Sequence, residues 1–266
     1  MLPLLSLTNK VFIVTGGSLG MGREIALAIA RAGAKVTVNY YPDDATQTSH
    51  VQSLHDEFSK IHNNENQDSL LTIAGDISLK ATSEQLVQKT VEKFGRIDGL
   101  VCNAGIYPRS DFTSTPEALY RKTLGINLDG TFFASQAVGS YMQSQQISGS
   151  IVGISSMTAL SGAGQFVHYT ASKAGVMSVM NSAAVALGPS GIRCNTVLPG
   201  TFDTDGNHAH LRNEEYSKDM LSRIPLRRFG QPSDIAGLVV FLLSDLSTYI
   251  TGSHIVIDGG ALMFNQ

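Results

Sequence analysis

A single doubly wound α/β domain, with a parallel sheet covered by helices on both faces, is the fold this 266-residue sequence predicts. Three observations predict it. Short apolar, β-branched runs alternate with helical patterns along the chain, as parallel strands buried on both faces require. A glycine-rich turn, Thr15-Gly16-Gly17-Ser18-Leu19-Gly20-Met21-Gly22, joins the first strand to the first helix. No internal repeat or linker divides the chain, and its length suits one large domain rather than two.

Residues 11–14 form a four-residue apolar strand, followed by the glycine turn and a helix over 23–31 that Gly33 ends. Residues 35–38 are the second strand, and 45–61 a helix that gives way to a polar loop at 62–68. The third strand covers 70–73 and the next helix 83–94. Residues 99–103 are the fourth strand, and 115–142 hold one or two long helices. The fifth strand, 151–154, is followed by a helix over 169–187, and the sixth strand is 192–197. Residues 201–222 read as polar and irregular. A helix over 234–243 and a last strand at 254–257 complete the domain.

Composition narrows the function. Hydrophobic residues make up 42% and charged residues 15%, which supports a large core and excludes a disordered chain. The net charge of −3, with no long basic run, argues against nucleic acid or an anionic membrane as partner. Met1-Leu2-Pro3-Leu4-Leu5-Ser6-Leu7 reads as an arm packed on the domain rather than a signal peptide, and no apolar stretch approaches a membrane span. Cys102 and Cys194 fall at strand positions and read as reduced, buried small hydrophobes, which suits a cytoplasmic protein.

The glycine turn is a phosphate cradle in the making. Glycines let the backbone turn sharply and approach a pyrophosphate, while the helix N-terminus offers free amides and a positive dipole end. Gly16, Ser18, Leu19, Gly20, Met21 and Gly22 are the candidate contacts. A strand–helix connection without a ligand would look similar in isolation, but at the first strand of such a sheet the dinucleotide reading prevails. The second strand ends Val38-Asn39-Tyr40-Tyr41, so the acid that would hold an adenosine ribose is missing, although Asp43 and Asp44 follow. Its absence points towards NADP, with NAD or dual use open.

Tyr169 and Lys173 stand one helical turn apart, so the phenol and ammonium share a face. Ser156 closes the fifth-strand run. A hydroxyl facing a phenol beside a cation is suited to proton transfer at a carbonyl or alcohol. Each has a plainer reading: Tyr and Lys four apart occur in many helices, and Ser155 competes with Ser156. His50, His55, His62, His208 and His210 show no ligand spacing with a third partner, so no metal is expected. His168, beside Tyr169, suits substrate contact, capping or solvation.

Taken together these motifs resemble the short-chain dehydrogenase/reductase family over nearly the whole chain, which implies a Rossmann-like fold. Asp76 and Ile77 lie in Gly75-Asp76-Ile77-Ser78, where the family's adenine-contacting Asp lies; Asn103, Ala104 and Gly105 match its Asn-Asn-Ala-Gly, with Cys102 at the first Asn. Asn127 falls where the family has its fourth catalytic residue. Pro199, Gly200 and Thr204 match the segment that meets the nicotinamide amide. The resemblance implies a catalytic set of Asn127, Ser156, Tyr169 and Lys173, and the thirteen-residue step from Ser156 to Tyr169 favours Ser156 over Ser155. Asn39 and Tyr40 complete the cofactor contacts, and Tyr169 and Lys173 also meet the cofactor.

By that resemblance Tyr169 is the acid–base group, Ser156 holds the substrate oxygen, Lys173 grips the ribose, and Asn127 holds a proton-relaying water. Asn127 is equally suited to bonding helix to loop. Lowering the phenol by about three units from its ordinary ~10 takes roughly 4 kcal/mol, which Lys173 and the nicotinamide charge are expected to supply.

Residues 157–168 and 201–222 should select the substrate, the latter as a lid. The segments 153–160, 168–170 and 191–195, and the ending Asn265-Gln266, are similar to fungal L-rhamnose 1-dehydrogenases, which oxidise a sugar's anomeric hydroxyl with NAD or NADP. The expected function is therefore a sugar 1-dehydrogenase. A general carbonyl reductase is the alternative, ahead of a 3-oxoacyl-carrier-protein reductase or a non-catalytic dinucleotide sensor. The family resemblance also implies a homotetramer, with the apolar run Leu262-Met263-Phe264 available for subunit contact.

Overall fold

The computed structural model describes residues 5–42, 45–61 and 69–263, with backbone alone at 45, 46, 209 and 210. Met1 to Leu4, Asp43, Asp44, the expected polar loop at 62–68, and Phe264 to Gln266 lie outside the described residues. Seven strands form one parallel sheet in the order β3-β2-β1-β4-β5-β6-β7. They are β1 (Val11–Thr15), β2 (Lys35–Tyr40), β3 (Leu70–Ala74), β4 (Gly99–Cys102), β5 (Gly149–Ile154), β6 (Ile192–Pro199) and β7 (His254–Ile257).

The helices are α1 (Gly20–Arg31), α2 (Ala45–Ile61), α3 (Lys80–Phe94), α4 (Glu117–Leu124), α5 (Gly130–Ser144), α6 (Thr158–Ser161), α7 (Val167–Leu187), α8 (His208–Leu211), α9 (Glu214–Ser222) and α10 (Pro232–Leu243).

Alternation along the strands builds two cores. Phe12 and Val14 face one side, with Val36, Val38, Val152 and Val197, beneath Ile25, Ile29, Ile235 and Val239 of α1 and α10. Ile13 faces the other, with Leu100, Ile151 and Cys194, beneath Leu86, Val138, Met142 and Met180 of α3, α5 and α7. Both cysteines are free and buried in this second layer, where burial pushes each thiol up to about 12. Leu7 of the N-terminal arm is buried in the first core, and its N–H donates to the Ala32 carbonyl at 2.8 Å.

Several boundaries differ from the sequence reading, each for a physical reason. The first helix starts at Gly20, not residue 23, because its opening turn is made of glycines that propensity alone excludes. The third starts at Lys80, not residue 83, which puts Ser83 inside the helix as a buried residue. Residues 115–142 are two helices joined by a π-helical turn, Gly125–Asp129. Residues 201–222, expected to be irregular, contain α8 and α9. Helix α9 buries no side chain and so shows no apolar period, but Asn213 caps it by accepting the Tyr216 N–H at 3.0 Å.

At the lower edge of the sheet Asp98 ties β1 to β4. It is 3% exposed, accepts the Val11 N–H at 2.9 Å, and receives the Arg96 guanidinium at 2.7 and 3.0 Å. Asp98→Ala strands that amide and is expected to cost about 2–4 kcal/mol. Thermal unfolding checks this; an unchanged midpoint would mean that the β1–β4 edge holds without the carboxylate.

Candidate active site

The sheet order reverses between β1 and β4, and a crevice must open above their C-terminal tips. Thr15 Oγ1 accepts the Asn103 and Ala104 N–H groups at 3.1 Å each, while the Asn103 amide donates to the carbonyls of Thr15 at 3.1 Å and Gly16 at 2.9 Å. This joins the glycine turn to the end of β4. Gly16, at φ +62°, lies so close that a Cβ would stand 2.8 Å from Ala104 Cα, and one at Gly22 would stand 2.3 Å from Asn103 Nδ2. Two of the turn's glycines are thus demanded by packing.

Gly20, at φ +57°, is different. A Cβ there meets only Thr204, at 3.8 Å, across open space. That space is a cleft of about 500 Å³ lined by the expected Gly16, Ser18, Leu19, Gly20, Met21, Gly22, Asn39, Asp76, Ile77, Asn103, Ala104, Gly105 and Thr204. A cradle that only a side chain at Gly20 would fill, at a helix N-terminus, fits a dinucleotide. The Asn39 amide donates to the carbonyls of Ile73 and Gly75, so it staples β2 to the end of β3. Arg23 of α1 is committed as well, to the carbonyls of Ser18 and His50 and to Ser53 and Glu57.

Five expected contacts do not line the cleft: Tyr169 and Lys173 stand beside it, and Tyr40, Pro199 and Gly200 lie elsewhere. Alternation along β2 turns Tyr40 away from the side Asn39 faces, and Tyr41 lines the cleft instead. The Pro199 carbonyl accepts the Met157 N–H at 3.0 Å, and Gly200 lies against Asp258, where a Cβ would come within 2.6 Å. These two shape the β6 end. Sequence reasoning also missed Tyr107, which lines the cleft from the loop after β4 opposite Thr204 and sets its ring edge-on to Tyr169 at 6.2 Å. Its position four residues past Asn103 was the available signal.

Beside this wall the four candidate catalytic residues converge. The Lys173 ammonium, buried, donates to the Ile154 carbonyl at 2.8 Å and lies 5.7 Å from the centre of the Tyr169 ring. A Cβ on Gly105 would come within 3.3 Å of that ammonium and 3.2 Å of Asn127 Oδ1, so glycine is required there. Ser155 Oγ donates to the Lys173 carbonyl at 2.7 Å, which makes it the structural serine of the pair. Ser156 Oγ accepts from Thr158 Oγ1 at 2.9 Å and the Thr158 N–H at 3.2 Å, which leaves its own proton to donate, and it lies near enough to Tyr169 to favour the ionised phenol.

Asn127, fully buried in the π turn, accepts the Ile106 N–H at 2.8 Å and donates to the Ile106 carbonyl and Ser172 Oγ. Its side chain bonds helix to loop, the second of the two readings the sequence left open.

The electrostatics depart from the expected lowering of the phenol. Burial pushes Tyr169 up to about 12, the Ser156 hydrogen bond opposes this, and Tyr107 adds to it. Burial holds Lys173 down to about 8. With its ammonium directed at Ile154, Lys173 does not offset desolvation of the phenol in the protein alone. His168 is 2% exposed with neither ring nitrogen partnered, so it is neither solvated nor a cap. His55 Nε2 lies 3.1 Å from Thr72 Oγ1, and His208 Nδ1 pairs with Asp203 at 2.9 Å. The His210 side chain and His62 lie outside what is described.

Residues 16–261 match the family model described as enoyl-(acyl carrier protein) reductase. The chain is 48% identical over 255 residues to the L-rhamnose-1-dehydrogenase of Scheffersomyces stipitis, covering 96% of each protein. It is 43% identical to the L-rhamnose 1-dehydrogenase (NAD(P)(+)) of Azotobacter vinelandii, covering 96% of this chain and 97% of that one. A crystal structure of a short-chain type dehydrogenase/reductase from Mycobacterium marinum superposes with a TM-score of 0.88 at 33% identity, covering 97% of both chains.

The buried lysine predicts a pH dependence. Lys173 sheds its proton near pH 8 when folded and near 10.5 when unfolded, so between these values the unfolded chain binds more protons. The Lys173 contribution to stability therefore rises with pH across that window, by about 3 kcal/mol at most, while the two buried thiols pull the other way. The stability of wild type relative to Lys173→Met should rise by the same amount. Urea unfolding of both proteins at the two ends of the window measures it, and a constant gap would refute the assignment.

Proposed function

Since this chain belongs to the short-chain dehydrogenase/reductase family and is an NAD(P)-dependent oxidoreductase acting on CH–OH groups, we propose that it oxidises an aldose such as L-rhamnose at the anomeric carbon to the lactone. The observation that carries this reading is the convergence of Ser156, Tyr169 and Lys173 beside a dinucleotide-sized cleft in a chain so similar to sugar dehydrogenases.

When bound, the nicotinamide accepts the hydride from the sugar's C1. Gly16, Ser18, Leu19, Gly20, Met21 and Gly22 would cradle its diphosphate, Asp76 and Ile77 its adenine end, and Asn103 to Gly105 and Thr204 its nicotinamide half. With no acid at the end of β2, NADP is the favoured form, with NAD also used. Ser156 holds the C1 hydroxyl by hydrogen bonding and stabilises negative charge as it develops on that oxygen. Tyr169 removes the hydroxyl proton. Burial keeps the phenol neutral in the free protein, so its action as base depends on positive charge arriving beside it, with Lys173 in support. Asn127 fixes the Ile106 loop next to Lys173, where a water can carry the proton outward.

Residues 201–222 form the lid over this site. The protein works as a cytoplasmic homotetramer in this reading; exposed Phe132 on α5, Val185 on α7, and Met263 offer apolar surface for subunit contact.

Reduced-nicotinamide absorbance, followed with L-rhamnose, other aldoses and simple secondary alcohols, each with NAD⁺ and NADP⁺, tests the proposal. Selective turnover of an aldose is expected, and activity confined to simple alcohols would replace it with the carbonyl-reductase reading. Tyr169→Phe should lower kcat by about 10²- to 10⁴-fold. Gly20→Asn tolerates the left-handed backbone but projects into the cleft. It should weaken nucleotide binding by calorimetry while leaving the unfolding midpoint nearly unchanged; undiminished binding would place the nucleotide elsewhere.

A further inference from the structure

The lid has a weak hold on the body of the protein. Phe202 and Ile224, 4% and 3% exposed, anchor its two ends, but α9 between them buries no side chain. What reaches α9 from across the site is Arg109, in the loop after β4. Its guanidinium carbon lies 5.8 Å from the centre of the Tyr216 ring on α9 and 5.6 Å from that of Phe166, just before α7. Phe166 in turn stands edge-on to Tyr169 at 6.4 Å. The Ser110 N–H donates to the Gln165 carbonyl at 3.0 Å, so the Arg109 and Phe166 segments are already joined by backbone. The guanidinium itself forms no ion pair among the described residues.

We propose that Arg109 is a positioning residue that clamps the lid, its guanidinium held between the rings of Phe166 and Tyr216 so that α9 closes over the substrate pocket. Arginine suits the task because a planar, weakly hydrated cation can stack on two ring faces at once, which a lysine ammonium cannot do. Phe166 makes the clamp directional: it fixes the guanidinium from the side of the catalytic tyrosine, and Tyr216 is the part that comes and goes. A lid held through one exposed ring, Tyr216, opens readily, as substrate entry requires.

This inference rests on the sugar-dehydrogenase reading for its kinetic arm, so a second arm is independent of turnover. The sequence contains no tryptophan. Tyr216→Trp keeps a strong cation–π ring and introduces a single fluorophore on α9. In the free protein, adding Arg109→Ala to that background should shift emission to the red and raise its accessibility to iodide. Unmoved emission and accessibility would overturn the clamp whatever the enzyme oxidises.

In turnover of the preferred aldose, Arg109→Ala and Tyr216→Ala should each raise KM about tenfold, or about 1.4 kcal/mol, with kcat changed less. The double variant should do little more than either. Tyr216→Phe keeps the ring and should rescue KM, whereas Arg109→Lys should rescue it only partly. If Tyr216→Phe matches Tyr216→Ala, or if the two alanine effects multiply, the stacked rings are not what holds the lid and the proposal fails.

Discussion

The tips of β1 and β4 are held together by one knot of hydrogen bonds, and the active site depends on it. Thr15 Oγ1 receives two backbone amides from the end of β4, and the Asn103 side chain returns two bonds to the backbone of the glycine turn. Parallel neighbours in the interior of a sheet diverge at the point where strand order reverses, so something must fix how far apart the crevice walls stand. Side chains larger than hydrogen at positions 16 and 22 would force the walls apart by colliding with Ala104 and Asn103. The same loop, continued through Gly105 and Ile106, then meets Lys173 and Asn127, so the spacing of the cleft and that of the candidate catalytic cluster are set by one strand end.

That cluster is electrostatically incomplete without its ligands. An isolated phenol and an isolated ammonium both lose hydration when buried, and each shifts towards its neutral form, Tyr169 up to about 12 and Lys173 down to about 8. The rise of the phenol opposes base chemistry by Tyr169 at neutral pH, and the fall of the ammonium leaves it holding its charge less firmly. The arrangement instead waits on charge: in a low-dielectric setting a positive charge arriving beside the phenol acts on it more strongly than it would in water. A proton-transfer group that is inert until its partner arrives avoids side reactions in the free protein.

The strands were legible because β-branched runs such as Val11 to Val14 and Ile192 to Val197 admit few other environments. That Ser156, Tyr169 and Lys173 stand together was legible because the chemistry proposed for them constrains residue type and spacing together. Legibility failed where an element has no buried face or where glycine is used for packing. Helix α9 leaves no apolar period to detect, and the start of α1 is hidden by glycines that look unfavourable until Asn103 is seen against Gly22. Tyr40 and Tyr41 were confused by one residue, because the strand's alternation continues past the point where the sequence seemed to turn. Tyr107, Phe166 and Arg109 were invisible as a set, since they meet only when the loop after β4 and the segment before α7, far apart in the chain, come together beside Tyr169.

Phe202 and Ile224, the buried ends of the segment proposed as a lid, bear on the history of the protein. Phe202 bridges to Gly230, and past Ile224 the Leu226 N–H donates to the Gly259 carbonyl, so both ends of the segment are fastened to neighbouring parts of the carboxyl-terminal edge. Everything between them contributes almost nothing to either core. Evolution can therefore rewrite this stretch, lengthen it or replace its helices at small thermodynamic risk, while the chemistry beneath it stays fixed. Divergence among relatives that act on different alcohols should be concentrated here, as exchange of a detachable module on an unchanging reactor.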